Sequence, residues 1–206
     1  MEQVRYIHFE GMDLAGKTTA TQGFIAADGG TWEIRRNSIA TDNPIYLLAD
    51  SLRRADAYDA ETLGNLFVAA LMADIRSFVP PTADTIQDST ILLRSLAYHS
   101  VRGTPRIPQV LQDMVPEHPQ FTASFLFTAS IDRRRERLQQ RMQRAPEEVA
   151  PEDLMVLDAP EKFLAMEARL IDLSTGIFHS VVIDTTSLTP EMVVESIQTN
   201  MPSRRE

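Results

Sequence analysis

Hydrophobic and polar positions along the chain alternate between two periods. Short β-prone runs (Val4, Tyr6, Ile7 and Phe9; Thr31 to Arg35; Asp84 to Asp88; Ala123 to Ala129; His179 to Asp184) are separated by longer segments whose apolar residues recur three or four positions apart. The first kind predicts strands. The second predicts helices over Thr18 to Ala27, Pro44 to Ala57, Ala60 to Val79, Ile91 to Val101, Pro108 to Val115, Asp132 to Arg144, Ala159 to Ser174 and Pro190 to Asn200. Gly29-Gly30 stops the first helix, Pro80-Pro81 stops the third, and Thr189 caps a last helix with Pro190 in its first turn. Strand alternating with helix predicts an α/β fold of three layers, a five-stranded parallel sheet covered by helices on both faces, within one domain spanning residues 1–206. Two segments fit less well. Asp84 to Asp88 is less apolar than a strand buried on both faces should be. Ala145 to Leu157 is acidic and proline-punctuated, which fits a flexible lid or a connection, and a lid region is expected over about 133–157. The tail Pro202 to Glu206 is expected to be disordered.

Chemistry enters at the exit of the first strand. Gly11 to Thr19 reads G-M-D-L-A-G-K-T-T and matches the P-loop pattern, with a strand before it and a helix after it as that motif requires. In such a loop the glycines let the N–H groups of Asp13, Leu14, Ala15, Gly16, Lys17, Thr18 and Thr19 turn inward around phosphate oxygens. Lys17 can reach the β and γ phosphates, and the Thr18 hydroxyl can ligate Mg2+. The chain's 20 basic side chains include only two lysines, Lys17 and Lys162, so lysine at the one position that requires it is not a product of abundance. ATP with Mg2+ is the expected donor.

Composition narrows the rest. A chain of 206 residues, 43% of them hydrophobic, can bury one sizeable core. The absence of cysteine excludes disulfides, thiolate catalysis and cysteine-based zinc or iron–sulfur sites. The start, M-E-Q-V-R-Y, lacks a signal peptide's apolar core and no run reaches the length of a membrane span, so a cytoplasmic protein without a membrane partner is expected. A formal charge of -9 argues against a nucleic-acid partner, yet leaves room for a small anion in a cleft lined locally with arginine. His8, His99, His118 and His179 show no metal-ligand spacing.

The arginines are placed for such a cleft. Arg35 and Arg36 end the second strand, at the edge where open α/β sheets bind ligands, although a solvated pair would sit there too. Asp88 ends the third, the place of a Walker-B-type carboxylate that holds magnesium or its waters, or of an ordinary turn aspartate. Arg94, Tyr98 and Arg102 share one helical face. Arg137, Arg141 and Arg144 share one side of the helix after the fourth strand, either as a solvated face or as mobile arginines that close on a phosphoryl group.

Taken in order, these segments resemble the thymidylate kinase family. F-E-G-M-D-L-A-G-K-T-T is similar to its opening, F-E-G-x-D-x-x-G-K-(S/T)-T, and D-S-T-I-L-L-R-S-L-A-Y-H (Asp88 to His99) to its D-R-(Y/H) and A-Y-Q segments. R-R-R-E-R-L-Q-Q-R resembles its arginines entering the lid, and V-L-D-A-P-E-K-F and V-V-I-D-T-T its C-terminal third. The resemblance implies the P-loop nucleoside monophosphate kinase fold, transfer of the ATP γ-phosphoryl group to a nucleotide phosphate with Mg2+, and often a homodimer. It implies that Lys17, Asp88 and Arg141 are catalytic and that Thr18 and Asp88 serve the metal. It also implies that Arg137 lies near adenine, that Phe67 stacks on the acceptor base and that Tyr98 lines the acceptor pocket. Glu10, Arg35, Arg36, Arg94 and His99 complete the expected acceptor set. The chain departs from the pattern where Ser89 replaces the arginine after the aspartate, Leu71 stands in place of a base-reading arginine, His99 replaces a glutamine, and the Asp88-to-Ala97 spacing is one residue longer. A pocket that loses polar groups matched to one substrate loses discrimination for it. The acceptor therefore need not be thymidine monophosphate, and Arg94, Arg76 and Arg102 are candidates to hold its phosphate.

A phosphate acceptor is already ionised near neutral pH, so transfer to it needs positioning and charge neutralisation more than a base. Leu14 puts no cation in the loop, which leaves Arg141 to act from outside. A hydroxyl acceptor would need a carboxylate within reach, for which Glu10, Asp13, Glu33 and Asp88 are candidates. A GTP switch finds no N-K-x-D motif in the chain, whereas a catalytically silent nucleotide-binding protein would carry the same P-loop.

Overall fold

The computed structural model describes residues 4–202. Residues 203–206 of the tail expected to be disordered lie outside the described residues. Five parallel strands, β1 (Tyr6–Glu10), β2 (Glu33–Arg36), β3 (Thr85–Asp88), β4 (Ala123–Thr128) and β5 (Val181–Asp184), form one sheet in the order β2-β3-β1-β4-β5. The strand that leads into the P-loop is therefore central, with Phe9 opposite Asp88 on one side and Phe125 on the other. The helices α1 (Lys17–Asp28), α2 (Pro44–Arg54), α3 (Ala60–Ser77), α4 (Ile91–Arg102), α5 (Arg106–Asp113), α6 (Ile131–Arg144), α7 (Met155–Asp158), α8 (Pro160–Phe178) and α9 (Pro190–Thr199) cover both faces. Among the described residues no helix is long and apolar enough to cross a membrane.

Element ends follow local chemistry. Asn43, Asp59, Thr90, Ser130 and Thr189 each accept from a backbone N–H in the first turn of the helix they precede, satisfying a donor that the helix itself cannot. The helix expected from Pro108 begins two residues earlier, with Pro108 inside its first turn, and His179, expected in the last strand, closes α8 at φ 52 instead. The 145–157 stretch, expected to be a flexible lid, is built of two 3-10 turns, Pro146–Glu148 and Pro151–Leu154, and the start of α7.

The two faces of the sheet are chemically different. One presents Ile7, Phe9, Ile86, Phe125, Phe127 and Ile183 to Phe24 of α1 and Ile197 of α9, and Phe9 meets the rings of Phe24, Phe125 and Phe127 edge-on. The other presents Tyr6, His8, Glu10, Gln87 and Ser124, all buried. Most of their polar atoms are paired: Tyr6 Oη donates to Gln87 Oε1 at 2.9 Å, Gln87 Nε2 donates to Ser89 O at 2.8 Å, and His8 Nδ1 meets Ser124 Oγ at 2.8 Å, while His8 Nε2 lies 3.7 Å from Glu10 Oε2 without a hydrogen bond. Buried polar groups cost little once hydrogen-bonded. That is why a strand as polar as β3 sits inside the sheet. Beyond this face a second core gathers Leu71 of α3, Leu92, Leu93 and Leu96 of α4, and Phe163 and Leu170 of α8.

Burial sets a pH limit on stability. It pushes His118, packed against Phe121 and Phe178, down to about 4, outweighing the hydrogen bond to Pro119 O. It pushes His99 down to about 4 as well, with Arg102 adding to the shift. An unfolded histidine takes its proton near 6.5, so between that pH and about 4 the unfolded chain binds more protons and stability falls as pH falls. Denaturant melts at pH 7 and pH 5 should differ by roughly 3–4 kcal/mol, a little under 2 from each ring. A flat profile across that window would mean that neither ring is held neutral by the fold.

Candidate active site

The loop after β1 is shaped by three left-handed residues, Gly11 at φ 148, Leu14 at φ 63 and Gly16 at φ 93. At Gly11 the requirement is steric as well, because a Cβ there would lie 2.4 Å from the carbonyl oxygen of Phe127 on the neighbouring strand. Gly11→Ala should therefore lower stability by about 2 kcal/mol and move the loop off β4. Thermal melts read the first effect and ATP affinity the second, and wild-type values of both would contradict this account.

Two cavities flank the loop and meet at Lys17. One, of about 570 Å3, lies over the P-loop and the start of α1 and is bordered by Arg133, Arg137, Arg141 and Arg144 of α6 and by Leu188 and Val193. The other, of about 410 Å3, opens between α2, α3 and α4. Met12, Asp13 and Lys17 line both. Lys17 Nζ stands 3.1 Å from Asp88 Oδ1, an ion pair without hydrogen-bond alignment, so this carboxylate oxygen is buried with its hydrogen-bonding capacity unspent. Thr18 is exposed in the first turn of α1. Magnesium takes one or two protein ligands and completes its shell with phosphates and water. Thr18 and Asp88 fit that donor set.

The second cavity gathers most of the expected acceptor residues. Arg36 and Asp88 are register partners at the ends of β2 and β3, with Arg36 Nε 4.0 Å from Asp88 Oδ2. Phe67, Tyr98, Arg94 and His99 also line this cavity, His99 nearly buried with its ring against Gly64 and Nδ1 2.9 Å from Thr104 Oγ1. Two of the expected acceptor residues do not line the cavity. Arg35 is absent from the lining because neighbours on a strand face opposite ways, and its guanidinium donates instead to Ile39 O and Val79 O. Glu10 is fully buried and spends its oxygens on Gly11 N, Ser89 Oγ, Thr90 N and Arg94 Nε. Burial alone would raise its pKa, but Arg94, His8 and Lys17 override this and hold the carboxyl well below the usual carboxylate range. Arg94 is thereby fixed beside Ser89, with Nη2 2.6 Å from Gly11 O and 3.3 Å from Ser89 Oγ. A guanidinium thus reaches the neighbourhood of the arginine that Ser89 replaces. Arg76 and Arg102 do not line the cavity, and Arg102 lies over the Tyr98 ring instead.

At α6, Arg141 Nη1 donates to the buried Asp153 at 2.9 Å, while the next residue back, Glu152, pairs with Arg53 of α2. Adjacent acids therefore face different cavities, Asp153 the first and Glu152 the second. Neither Arg53 nor this acidic pair stood out in the sequence. The only signal was acidity in a proline-rich stretch, which a surface loop shares. Arg137, expected near adenine, lines the first cavity, with Nη1 donating to Leu14 O at 2.8 Å and Nη2 to Thr185 O at 3.1 Å.

No family model and no curated protein matches the chain. Solved structures do match it. One is a thymidylate kinase from Candida albicans, 13% identical, with a TM-score of 0.66 over 97% of this chain and 91% of that one. Another is a thymidylate kinase from Ehrlichia chaffeensis, 15% identical, with a TM-score of 0.61 over 95% of this chain and 96% of that one. At this identity the likeness is one of architecture, and the chain has the fold of the thymidylate kinases.

Proposed function

We propose that this protein is an ATP-dependent nucleotide kinase that transfers the γ-phosphoryl group to the phosphate of a nucleoside monophosphate. The observation that carries this reading is the meeting of two cavities at Lys17, one over the P-loop with four bordering arginines and the other joining an aromatic wall to cationic groups. A donor polyphosphate in the first and an acceptor phosphate in the second would have their reacting ends at that lysine. Lys17 would balance charge on the phosphoryl group in flight, Arg36 and Arg94 would hold the acceptor phosphate, and Arg141 would close from the lid. Mg2+, held by Thr18 and Asp88, would neutralise the donor phosphates. Phe67 gives a base a ring to stack on. Leu71, where the family has a base-reading arginine, is buried in the core, which supports an acceptor other than thymidine monophosphate. Of the carboxylates that could serve a hydroxyl acceptor, Glu10 has both oxygens occupied, which leaves Asp13 and Asp88 at the second cavity.

The test is a coupled ATP-consumption assay over the nucleoside monophosphates, thymidine and uridine forms first, beside the matching unphosphorylated nucleosides. Turnover with a monophosphate and none with its nucleoside is expected. Turnover confined to nucleosides would overturn the acceptor assignment, and ATP binding with no turnover on the whole panel would overturn the enzyme itself.

A further inference from the structure

We infer that the buried Arg134–Glu167 pair, which touches neither cavity, is a positioning device that holds the P-loop open toward triphosphate. The inference rests only on the nucleotide-cradle part of the reading above. A loop that binds phosphate through its N–H groups must turn its carbonyls away and find donors for them. From Gly11 to Gly16 every carbonyl has one. Gly11 O accepts from Arg94 Nη2 at 2.6 Å, Met12 O from Ala15 N at 3.3 Å and Gly16 O from Ala20 N at 2.9 Å. The three between are drawn outward by side chains: Asp13 O by Arg134 Nη1, Leu14 O by Arg137 Nη1 at 2.8 Å, and Ala15 O by Thr185 Oγ1 at 2.8 Å.

Whereas Arg137, the other guanidinium of the three, is half-buried, Arg134 has no exposure to solvent. Its Nε donates to Ala129 O at 2.9 Å, its Nη2 pairs with Glu167 of α8, and its guanidinium lies 4.9 Å from the centre of the Phe163 ring. Those three neighbours fix the plane of the fork and leave Nη1 directed at Asp13 O. That carbonyl belongs to the peptide unit that enters Leu14, the one non-glycine residue of the loop in a left-handed conformation. Left-handed leucine is strained and relaxes if the peptide before it rotates. Such a rotation would swing Asp13 O into the phosphate cradle and the Leu14 N–H out of it. Arg134 holds Asp13 O and so opposes the rotation, and Glu167 keeps Arg134 aimed. Lysine has no fork with which to serve three acceptors.

The experiment is calorimetric titration of MgATP, and separately of inorganic tripolyphosphate, into the full chain and its variants at a temperature where circular dichroism shows each to be folded. Arg134→Lys should bind both at least tenfold more weakly, and Glu167→Gln, which leaves the carbonyl bond but loosens its aim, about threefold more weakly. Where Arg134→Lys does not fold, Glu167→Gln decides. Affinities within about 1.5-fold of wild type in the folded variants would overturn the proposal. Lys17→Ala distinguishes this from failure of the cradle reading, since unchanged MgATP affinity there would bring down both. No acceptor or turnover is needed, so the acceptor assignment stands or falls separately.

Discussion

Lys17→Ala is expected to lower phosphoryl transfer by about 10^3-fold, the order seen when a preorganised cation or donor is removed from a developing charge. The expectation rests on location. Lys17 is the cation shared by the two cavities, and its ammonium lies against Asp88 at the carboxyl edge of the sheet. Alanine removes that cation and at the same time leaves the partly buried Asp88, among the described residues, with only the exposed Arg36, 4.0 Å away, as an ion-pair partner, so the local field becomes less positive where phosphates must approach. Turnover in the coupled assay should collapse, and MgATP affinity should fall with it because, on the proposed reading, the same ammonium would reach the bound phosphates. A rate within tenfold of wild type would remove Lys17 from the mechanism.

Arg141→Ala should act differently, cutting turnover by roughly 10^2-fold while MgATP affinity changes less than about threefold. Arg141 borders the P-loop cavity but spends one nitrogen on Asp153, a carboxylate with almost no exposure. A side chain already paired gains little from ground-state ATP. It gains more when the phosphoryl group, with its charge spread over three oxygens, competes for it. Parallel kinetics and binding on the one variant separate the two quantities. Turnover at the wild-type level would mean that the arginine serves only its aspartate.

How much of this could be read from residues alone depends on how local the cause is. The P-loop, the caps and the punctuating prolines are local, and the strands and helices they delimit formed within a few residues of their expected ends. Gln87 makes β3 look weak because its partners, Tyr6, Ser38 and Ser89, come from other elements or from the turn beyond the strand, while Thr85 turns its hydroxyl back to Ala83 O. Arg35 and Arg36 were grouped, although alternation along a strand could already have split them. The basic run of α6 was the hardest stretch to read. Its sequence is equally that of a solvated face, and nothing in it marks Arg134 as buried, Arg137 as tied to a carbonyl, or Arg141 as paired with Asp153. Those roles are set by Glu167, Thr185 and Asp153, which only the tertiary fold brings near.

The order of strands in the sheet also fixes when the nucleotide cradle can come into being as the chain leaves the ribosome. β1 emerges first, yet its neighbours begin at Thr85 and Ala123, and the hydroxyl that anchors the loop's Ala15 carbonyl belongs to Thr185, 170 residues downstream. Such distant closures are slow and come late in folding. A nascent chain halted before β5 would carry the whole P-loop motif and still lack one of the anchors that hold it in shape.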